Sequence, residues 1–300
     1  MWRIIVHISH DVKHHIQPMP KSRKKKATPP RRMNRMRAEA MVGLANKQLF
    51  TVVNGSGHPA DPAHTIVPII QQIDRTSYNF VGTAFFITTN GVFATAAHVA
   101  DQLGRDNLPA AIVQFTGSGK FVERPIRKLY MHNGADVAVG VPQGMHRPQD
   151  NAPLTNAVLT LSLALPEPGD NVHTYAYPNT VMEPASDTEK AKAFFNPGYY
   201  AGQVIEVYPA GRDRILMPGP CFQTSVHLHG GSSGGPVFNR QGEVIGINST
   251  SFDAATNISF AACVAQLLDL VVDDVEIPPA PATQISLRCL ADLGHIAVSR

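Results

Sequence analysis

The sequence predicts an all-β fold. Glycine and proline account for 23 and 24 of the 300 residues, and this frequency indicates a chain with many turns. From Thr65 onward, short apolar runs rich in aromatic and β-branched residues alternate with those turns, as they do in β-strands. Asn90-Gly91 stands between two such runs and is the strongest local signal, because this dipeptide adopts the tight turn of a β-hairpin.

The first set of strands ends near residue 141. Predicted strands cover residues 66–73, 80–88, 92–95, 110–115, 119–122 and 126–131. One or two helical turns over 96–103 interrupt them, and a further apolar strand follows Asp136. We expect these strands to close into one small barrel over about residues 64–141.

A second set of strands follows a connector over residues 142–156, which is rich in proline and glycine. These later strands are predicted over residues 158–164, 172–177, 199–208, 214–217, 221–225, 237–238 and 243–248. We expect them to form a second barrel over about 157–262. An amphipathic helix is predicted over 261–272, and a proline-containing tail over 274–300.

Residues 1–60 lack a sustained hydrophobic period, and we predict a disordered, basic N-terminal extension there. Residues 1–37 hold 11 of the 26 Lys and Arg residues and one of the 23 acidic residues, so the rest of the chain is net acidic. A solvated tail is the favoured interpretation, and binding of nucleic acid or another anionic partner is the alternative. Translation starting at Met33, Met36 or Met41 would omit part of this extension.

Composition also bears on the compartment. The three cysteines, Cys221, Cys263 and Cys289, do not form the dense framework of a disulfide-stapled secreted domain. The sequence has no run of 18 apolar residues, so no membrane span is expected. His7 interrupts the apolar patch at the start, which makes it a poor secretory signal. We therefore expect a cytoplasmic protein, and its oligomeric state stays open.

A serine lies at the centre of the Gly-Gly-Ser-Ser-Gly-Gly-Pro segment at 230–236. A serine hydroxyl becomes an effective nucleophile when a base takes its proton and the resulting oxyanion is stabilised. Glycines allow a loop to curl tightly, so that backbone N–H groups can converge on such an oxyanion. Taken alone, the segment is equally well explained as a turn between two strands.

Two further motifs place a histidine and an aspartate beside apolar strands. Thr-Ala-Ala-His ends at His98, and Ala-Asp-Val-Ala-Val carries Asp136 at the head of a strand. Each alone is more often a surface or capping residue. Together with Ser233, however, they supply the nucleophile, the base and the orienting acid of a catalytic triad.

With these three motifs in this order, the chain resembles the chymotrypsin-like serine proteases, most closely their HtrA-type and bacterial glutamyl-endopeptidase branches. The likeness covers roughly residues 64–272, and the remaining C-terminal residues are too few for the PDZ domain that HtrA-type enzymes usually carry. The resemblance implies a protease domain over 61–273. It also implies two six-stranded antiparallel β-barrels with the active site in the cleft between them.

The resemblance implies a serine endopeptidase without a cofactor, acting on a protein or peptide. Its catalytic residues would be His98, Asp136 and Ser233, and Ser233 is preferred over Ser232 because it directly precedes Gly-Gly-Pro. The backbone N–H groups of Gly231 and Ser233 would form the oxyanion hole. Ser232 stands where the digestive enzymes have an aspartate that pairs with a new N-terminus, so we expect no zymogen activation of that kind.

Four residues are candidates for the substrate pocket, namely His227, Leu228, Asn248 and Ser249. Trypsin-like specificity needs an aspartate at the position of His227, and glutamyl endopeptidases have a histidine at that of Asn248. We therefore expect cleavage after a small or medium apolar residue. His227 and His229 lack a third ligand with suitable spacing, so no metal is expected.

A function of another class stays open on the sequence alone. The fold could be catalytically latent or silent and bind peptides in its cleft, with the basic extension binding nucleic acid or another anionic partner. The presence of all three candidate catalytic groups favours the enzyme over this alternative.

Overall fold

The computed structural model describes residues 5–8, 52–116, 121–147, 150–178, 180–185, 191–251, 258–273, 275 and 284–299. Within these ranges the chain forms two six-stranded antiparallel β-barrels and few helices, so the predicted all-β fold is confirmed. No helix in the same ranges is long and apolar enough to cross a lipid bilayer.

Three short strands precede the first barrel. β1 (Ile5–Ile8) pairs in parallel with a later strand, and β2 (Val52–Val53) forms a hairpin with β3 (Pro59–Ala60). The prediction of disorder over 1–60 is therefore wrong for β1, β2 and β3, because each of these segments pairs with another strand. Residues 9–51, with the basic run and the alternative starts, lie outside the described residues, and nucleic-acid binding there stays a prediction.

Six consecutive strands form the first barrel. They are β4 (Ile66–Gln72), β5 (Tyr78–Phe86), β6 (Phe93–Thr95), β7 (Ala110–Phe115), β8 (Phe121–Met131) and β9 (Ala138–Pro142). They close in the order β4-β5-β6-β9-β8-β7. Helix α1 (Pro62–Thr65) precedes β4, and helix α2 (Ala97–Asp106) connects β6 to β7 and carries His98 in its first turn.

The second half of the chain forms the second barrel and a hairpin beside it. Its strands are β10 (Leu161–Ser162), β11 (Asn171–Ala176), β12 (Val181–Glu183), β13 (Lys192–Phe195), β14 (Gly198–Tyr208), β15 (Cys221–Thr224), β16 (Pro236–Phe238), β17 (Val244–Ser251) and β18 (Ser259–Cys263). The ring runs β11-β14-β15-β18-β17-β16 and is closed by pairing of β16 with β11. β12 and β13 pair with each other outside this ring, and β1 joins them as a third strand.

Two strands predicted in this half are corrected by the structure. The strand predicted over 158–164 is reduced to β10, which pairs in parallel with β17 and is not one of the six barrel strands. The residues predicted as a strand over 214–217 form a turn instead. Asp213 causes this turn, because its carboxylate accepts hydrogen bonds from Ile215 N at 2.9 Å and Leu216 N at 2.7 Å.

The helix predicted over 261–272 is also wrong in kind and extent. Ala261–Cys263 belong to β18, because this segment pairs with β15 on one side and with β17 on the other. A 3₁₀ helix follows over Val264–Asp269, and β19 (Val271–Val272) comes next. Pairing on both edges of the segment therefore overrides its helical hydrophobic pattern.

The residues predicted as a tail over 274–300 are part of the packed structure where they are described. They form β20 (Ile285–Ser286), helix α3 (Leu287–Asp292) and β21 (Val298–Ser299). β20 pairs with β19, and β21 pairs in parallel with β10. Leu287 and Leu290 of α3 are buried in the same hydrophobic cluster as the 3₁₀ helix.

A fully buried arginine fixes the start of the connector between the barrels. The guanidinium of Arg124 donates to Asn90 O at 2.6 Å, to Gln114 Oε1 at 3.1 Å and to Gln143 O at 3.3 Å. Burial lowers the pKa of Arg124 to about 10, so the group is charged at neutral pH. Its hydrogen bonds hold Gln143, near the start of the connector, against the hairpin of the first barrel.

We expect helix α3 to contribute to the stability of the whole domain. The side chain of Leu290 is 1% exposed, and removing buried methyl groups costs both transfer free energy and a cavity. L290A should lower the free energy of unfolding by about 3 kcal/mol, measured by urea denaturation. L293A is the matched control, because Leu293 is 60% exposed and its loss should cost less than about 0.5 kcal/mol. Equal stabilities of L290A and the parent would contradict packing of this segment.

Candidate active site

The serine-containing loop at 230–235 connects β15 to β16 and is tightly curled. Ser232 N donates to His229 O at 3.1 Å, and Gly235 N donates to Ser232 O at 3.1 Å. Gly231 and Gly234 have φ angles of 90° and 83°, which favour glycine over other residues. The curl leaves the side chain of Ser233 half-buried at the surface of the loop.

The loop is attached to the first barrel through Thr83 of β5. Thr83 N donates to Ser233 O at 2.9 Å, and Thr83 Oγ1 donates to Gly231 O at 2.9 Å. A side chain at Gly234 is excluded, since its Cβ would lie 2.1 Å from Thr83 O. These contacts bring the loop of the second barrel against a strand of the first.

Three backbone N–H groups of this loop, those of Gly230, Gly231 and Ser233, have no acceptor in the described part of the chain. The amides of Ser232, Gly234 and Gly235 all donate to backbone carbonyl groups. A pair of amides with unused donors beside a serine can bind an anionic oxygen.

His98 and Asp136 are in direct contact, as the sequence predicts for two members of one site. His98 Nδ1 lies 2.8 Å from Asp136 Oδ2, and His98 N donates to Asp136 Oδ1 at 2.9 Å. The imidazole side chain is 47% exposed, whereas that of the carboxylate is 10% exposed. With Nδ1 directed at Asp136, Nε2 is the nitrogen that can exchange a proton with another group.

The environment of Asp136 favours its ionised form. Burial by itself raises the pKa of this carboxyl, but hydrogen bonds and charge from His98, and a hydrogen bond from Ser249, lower it below its ordinary value. Ser249 Oγ donates to Asp136 Oδ2. The carboxylate is therefore negatively charged at neutral pH and can stabilise a protonated imidazole.

Ser249 also links this pair to Ser233. Ser233 Oγ donates to Ser249 O at 3.1 Å, and not to the imidazole of His98. The structure thus brings together all three predicted catalytic residues, with Ser249 as the bridge between Asp136 and Ser233. The sequence analysis assigned Ser249 to the substrate pocket and missed this contact, because only the pairing of distant strands reveals it.

The other predicted pocket residues lie in different environments. His227 is exposed, and its ring contacts that of His229 edge to face at 4.5 Å between centroids. Leu228 is 7% exposed and packs in the core of the second barrel. Asn248 is 2% exposed, and its amide donates to Thr174 Oγ1 at 2.7 Å inside that barrel. Hence the side chains of Leu228 and Asn248 are directed away from solvent.

A metal site is not evident in the described ranges, where no three His, Cys, Asp or Glu side chains cluster closely enough to hold an ion. A serine hydroxyl, an imidazole whose Nε2 can exchange a proton and backbone amides with unused N–H groups are components that acyl transfer requires.

Comparison with known proteins identifies similar chains. The trypsin-like peptidase domain family matches residues 82–247, which is more than half of the chain. A protein of Hahella chejuensis described as "Probable periplasmic serine endoprotease DegP-like" is 42% identical over 55 residues. These residues are 17% of this chain and 12% of that protein, so the match spans a small part of the relative's length.

Two solved structures are also similar to the chain. The MamO protease domain from Magnetospirillum magneticum has 15% sequence identity and a TM-score of 0.47, over 69% of this chain and 95% of that one. The Rv3671c protease from M. tuberculosis has 16% identity and a TM-score of 0.45, over 68% of this chain and 78% of that one.

The contact between Ser249 and Asp136 gives a pH-dependent prediction. S249A removes one donor and raises the pKa of Asp136 towards its ordinary value. A carboxyl whose pKa is lowered by folding stabilises the folded state above the unfolded pKa, near about 4, and this stabilisation is lost as the pH falls through the folded-state pKa. We expect S249A to lower the free energy of unfolding by about 1–2 kcal/mol at pH 7 and by less at pH 3.

Urea unfolding of parent and variant between pH 3 and pH 8 measures this difference. S299A is the matched control, because Ser299 Oγ is buried and has no hydrogen-bond partner in the described part of the chain. Its effect on stability should not change with pH. A loss for S249A that stayed constant over the whole range would show that Ser249 does not act through the ionisation of Asp136.

Proposed function

The chain belongs to the trypsin-like peptidase domain family and is thus a serine peptidase, and on that premise we propose that His98, Asp136 and Ser233 hydrolyse peptide bonds through an acyl-enzyme. The observation that carries the proposal is the hydrogen-bonded series from His98 through Asp136 and Ser249 to Ser233. It joins a base and its acid from the first barrel to a serine from the second.

In the acylation step, Ser233 Oγ attacks the carbonyl carbon of the peptide bond. His98 Nε2 takes the hydroxyl proton and then gives it to the leaving amine, so that the C–N bond breaks with charge balanced. Rotation of the Ser233 side chain away from Ser249 O is needed first, because the hydroxyl donates to that carbonyl at 3.1 Å. Water then attacks the acyl-enzyme by the reverse sequence of proton transfers and releases the acid.

Asp136 holds the imidazole during both steps. Its Oδ2 fixes Nδ1, and its Oδ1 accepts the backbone N–H of His98, so the ring is held in one orientation. The lowered pKa of Asp136 keeps the carboxylate charged, and this charge stabilises the imidazolium that forms when His98 takes the proton.

The amides of Gly231 and Ser233 act as the oxyanion hole. Both N–H groups lie in the curled loop, and neither is used by the described residues. One such donor contributes about 3–4 kcal/mol of transition-state stabilisation in a comparable enzyme. The amides stabilise the transition state only if the peptide planes at 230–233 keep their orientation. The attachment of the loop to Thr83 is therefore important for the rate of acylation.

A latent peptide-binding module is the second candidate function. The position of the Ser233 hydroxyl favours it, because a serine that donates to Ser249 O is not yet activated by His98. In such a protein the cleft would bind a peptide and leave it intact. Reactivity of Ser233 towards a probe that needs no peptide recognition separates the two functions.

We expect a fluorophosphonate probe to label the parent protein at one serine. S233A and H98A should each lower labelling by at least about a thousandfold, since a triad acts as a unit. S232A is the matched control, because Ser232 Oγ is buried and unpaired among the described residues, and it should keep parental labelling. Quantitative gel fluorescence, with the labelled peptide identified by mass spectrometry, measures the effect. Labelling retained by S233A but lost in S232A would contradict the assignment, and a folded parent without labelling would favour the latent module.

We also propose cleavage after small or medium apolar residues. His227 supplies no carboxylate to pair with a basic substrate residue, and Asn248 is turned into the barrel towards Thr174. Ile247 is fully buried, so the backbone of β17 and the partly exposed Thr250 are the remaining determinants on that strand.

A peptide library with mass-spectrometric detection tests this specificity. We expect Ala, Val or Leu before the scissile bond to be preferred at least about tenfold over Lys, Arg and Glu, since burial of an apolar side chain contributes about 1–3 kcal/mol. The same library treated with S233A gives the background. A preference for Lys, Arg or Glu at this position would contradict the proposed pocket.

A further inference from the structure

The N-terminal strand β1 completes a three-stranded sheet that lies outside both barrels. Its register on β13 is parallel, with Ile5 opposite Lys192 and Ile8 opposite Phe195. β12 occupies the other edge of β13 in antiparallel pairing. Three of the four residues of β1 are β-branched, which favours the extended conformation.

Without β1, the sheet would consist of two very short strands. β12 has three residues and β13 has four, and an isolated two-stranded sheet of this size is marginally stable in water. β13 would also present an unpaired row of N–H and C=O groups, which is the feature that binds extended segments by strand addition. The pairing with residues 5–8 therefore adds to the order that the buried side chains of β13 give this hairpin.

The inner face of β13 packs on an aromatic cluster. The Phe195 side chain is fully buried, and its ring contacts Tyr177 at 6.2 Å and Phe115 at 6.0 Å between centroids, both edge to face. Tyr177 is fixed in turn by donation from its hydroxyl to Ile66 O at 3.0 Å. A displacement of β13 therefore acts directly on the position of Tyr177.

Tyr177 is linked to the oxyanion amides through Thr83. Tyr177 N donates to Thr83 Oγ1 at 3.2 Å, and Thr83 Oγ1 donates to Gly231 O at 2.9 Å. Thr83 N holds Ser233 O at 2.9 Å. The path from β13 to the loop at 230–233 thus consists of one ring contact and three hydrogen bonds.

We propose that the edge of β13 is a docking site for an extended segment, that residues 5–8 of the same chain occupy it, and that this occupancy holds the oxyanion amides in position. The inference deepens the proposed function, on which it rests, by adding a regulatory strand remote from the triad. An occupied edge orders Tyr177 and Thr83, and a vacant edge releases the peptide planes that carry the Gly231 and Ser233 amides.

The test uses the full chain with two prolines in β1, V6P/H7P, which remove adjacent N–H donors and so prevent pairing whichever one faces β13. A variant with two prolines in the basic stretch, K24P/K25P, is the matched control. Trp2 is the single tryptophan and lies three residues before β1, so its fluorescence anisotropy reports docking without reference to activity. Hydrogen exchange of peptides covering 176–185 and 228–236 reports the coupling, and peptide hydrolysis gives kcat and KM.

We expect V6P/H7P to lower Trp2 anisotropy, to speed exchange in both peptides about tenfold, and to reduce kcat about tenfold with KM changed less than twofold, because a misplaced oxyanion donor affects the transition state. K24P/K25P should match the parent. Adding a free peptide of residues 1–12 with W2F should restore kcat and slow exchange in V6P/H7P, whereas a scrambled peptide should not.

Equal Trp2 anisotropy in V6P/H7P and the parent would overturn docking. Low anisotropy together with unchanged exchange at 228–236 would overturn the coupling. If the parent itself neither hydrolyses peptides nor reacts with a fluorophosphonate, the proposed function fails, and anisotropy and exchange still decide whether β1 docks and orders the loop.

Discussion

Thr83 is a residue of the first barrel that directly holds the serine-containing loop of the second. It is fully buried, its N–H and hydroxyl bind Ser233 O and Gly231 O, and its own carbonyl accepts Thr95 Oγ1 at 2.8 Å. The close approach of Gly234 to the same carbonyl leaves no room for another residue there. Because Ser233 and the amides proposed for the oxyanion hole lie on the loop that Thr83 holds, their position relative to His98 depends on this strand of the other barrel.

Ser249 has a comparable position on the opposite side of the loop. Its hydroxyl reaches Asp136 of the first barrel, and its carbonyl accepts the hydroxyl of Ser233 from the second. A buried carboxylate is costly unless donors surround it, and here the donors are the ring and backbone of His98 together with Ser249. These hydrogen bonds offset the desolvation cost of burying the Asp136 carboxylate. They also keep the carboxylate charged and hold the imidazole in one orientation.

The sequence predicts the parts of the site that short motifs specify. His98, Asp136 and Ser233 each stand in a local pattern, and the alternation of apolar runs and turns predicts the barrels. The sequence does not predict the contact of Ser249 with Asp136, strand β1, or the strand conformation of Ala261–Cys263, and the physical reason is the same in each case. Each depends on a part of the chain that is distant in sequence, which is Asp136 for Ser249, β13 for β1, and β15 and β17 for Ala261–Cys263. Ala261–Cys263, for example, continue a helical hydrophobic pattern but pair on both edges.

The order of the strands along the chain has a consequence for synthesis. β4 to β9 are contiguous and close on one another, so the barrel that carries His98 and Asp136 is complete before Ser233 is added. The second ring closes only with β18, and β21 near the C-terminus pairs with β10 last. Since domains fold from the N-terminus during translation, His98 and Asp136 can pair in a nascent chain that does not yet contain Ser233. The site that we propose for peptide hydrolysis is therefore assembled only after β18 has been added.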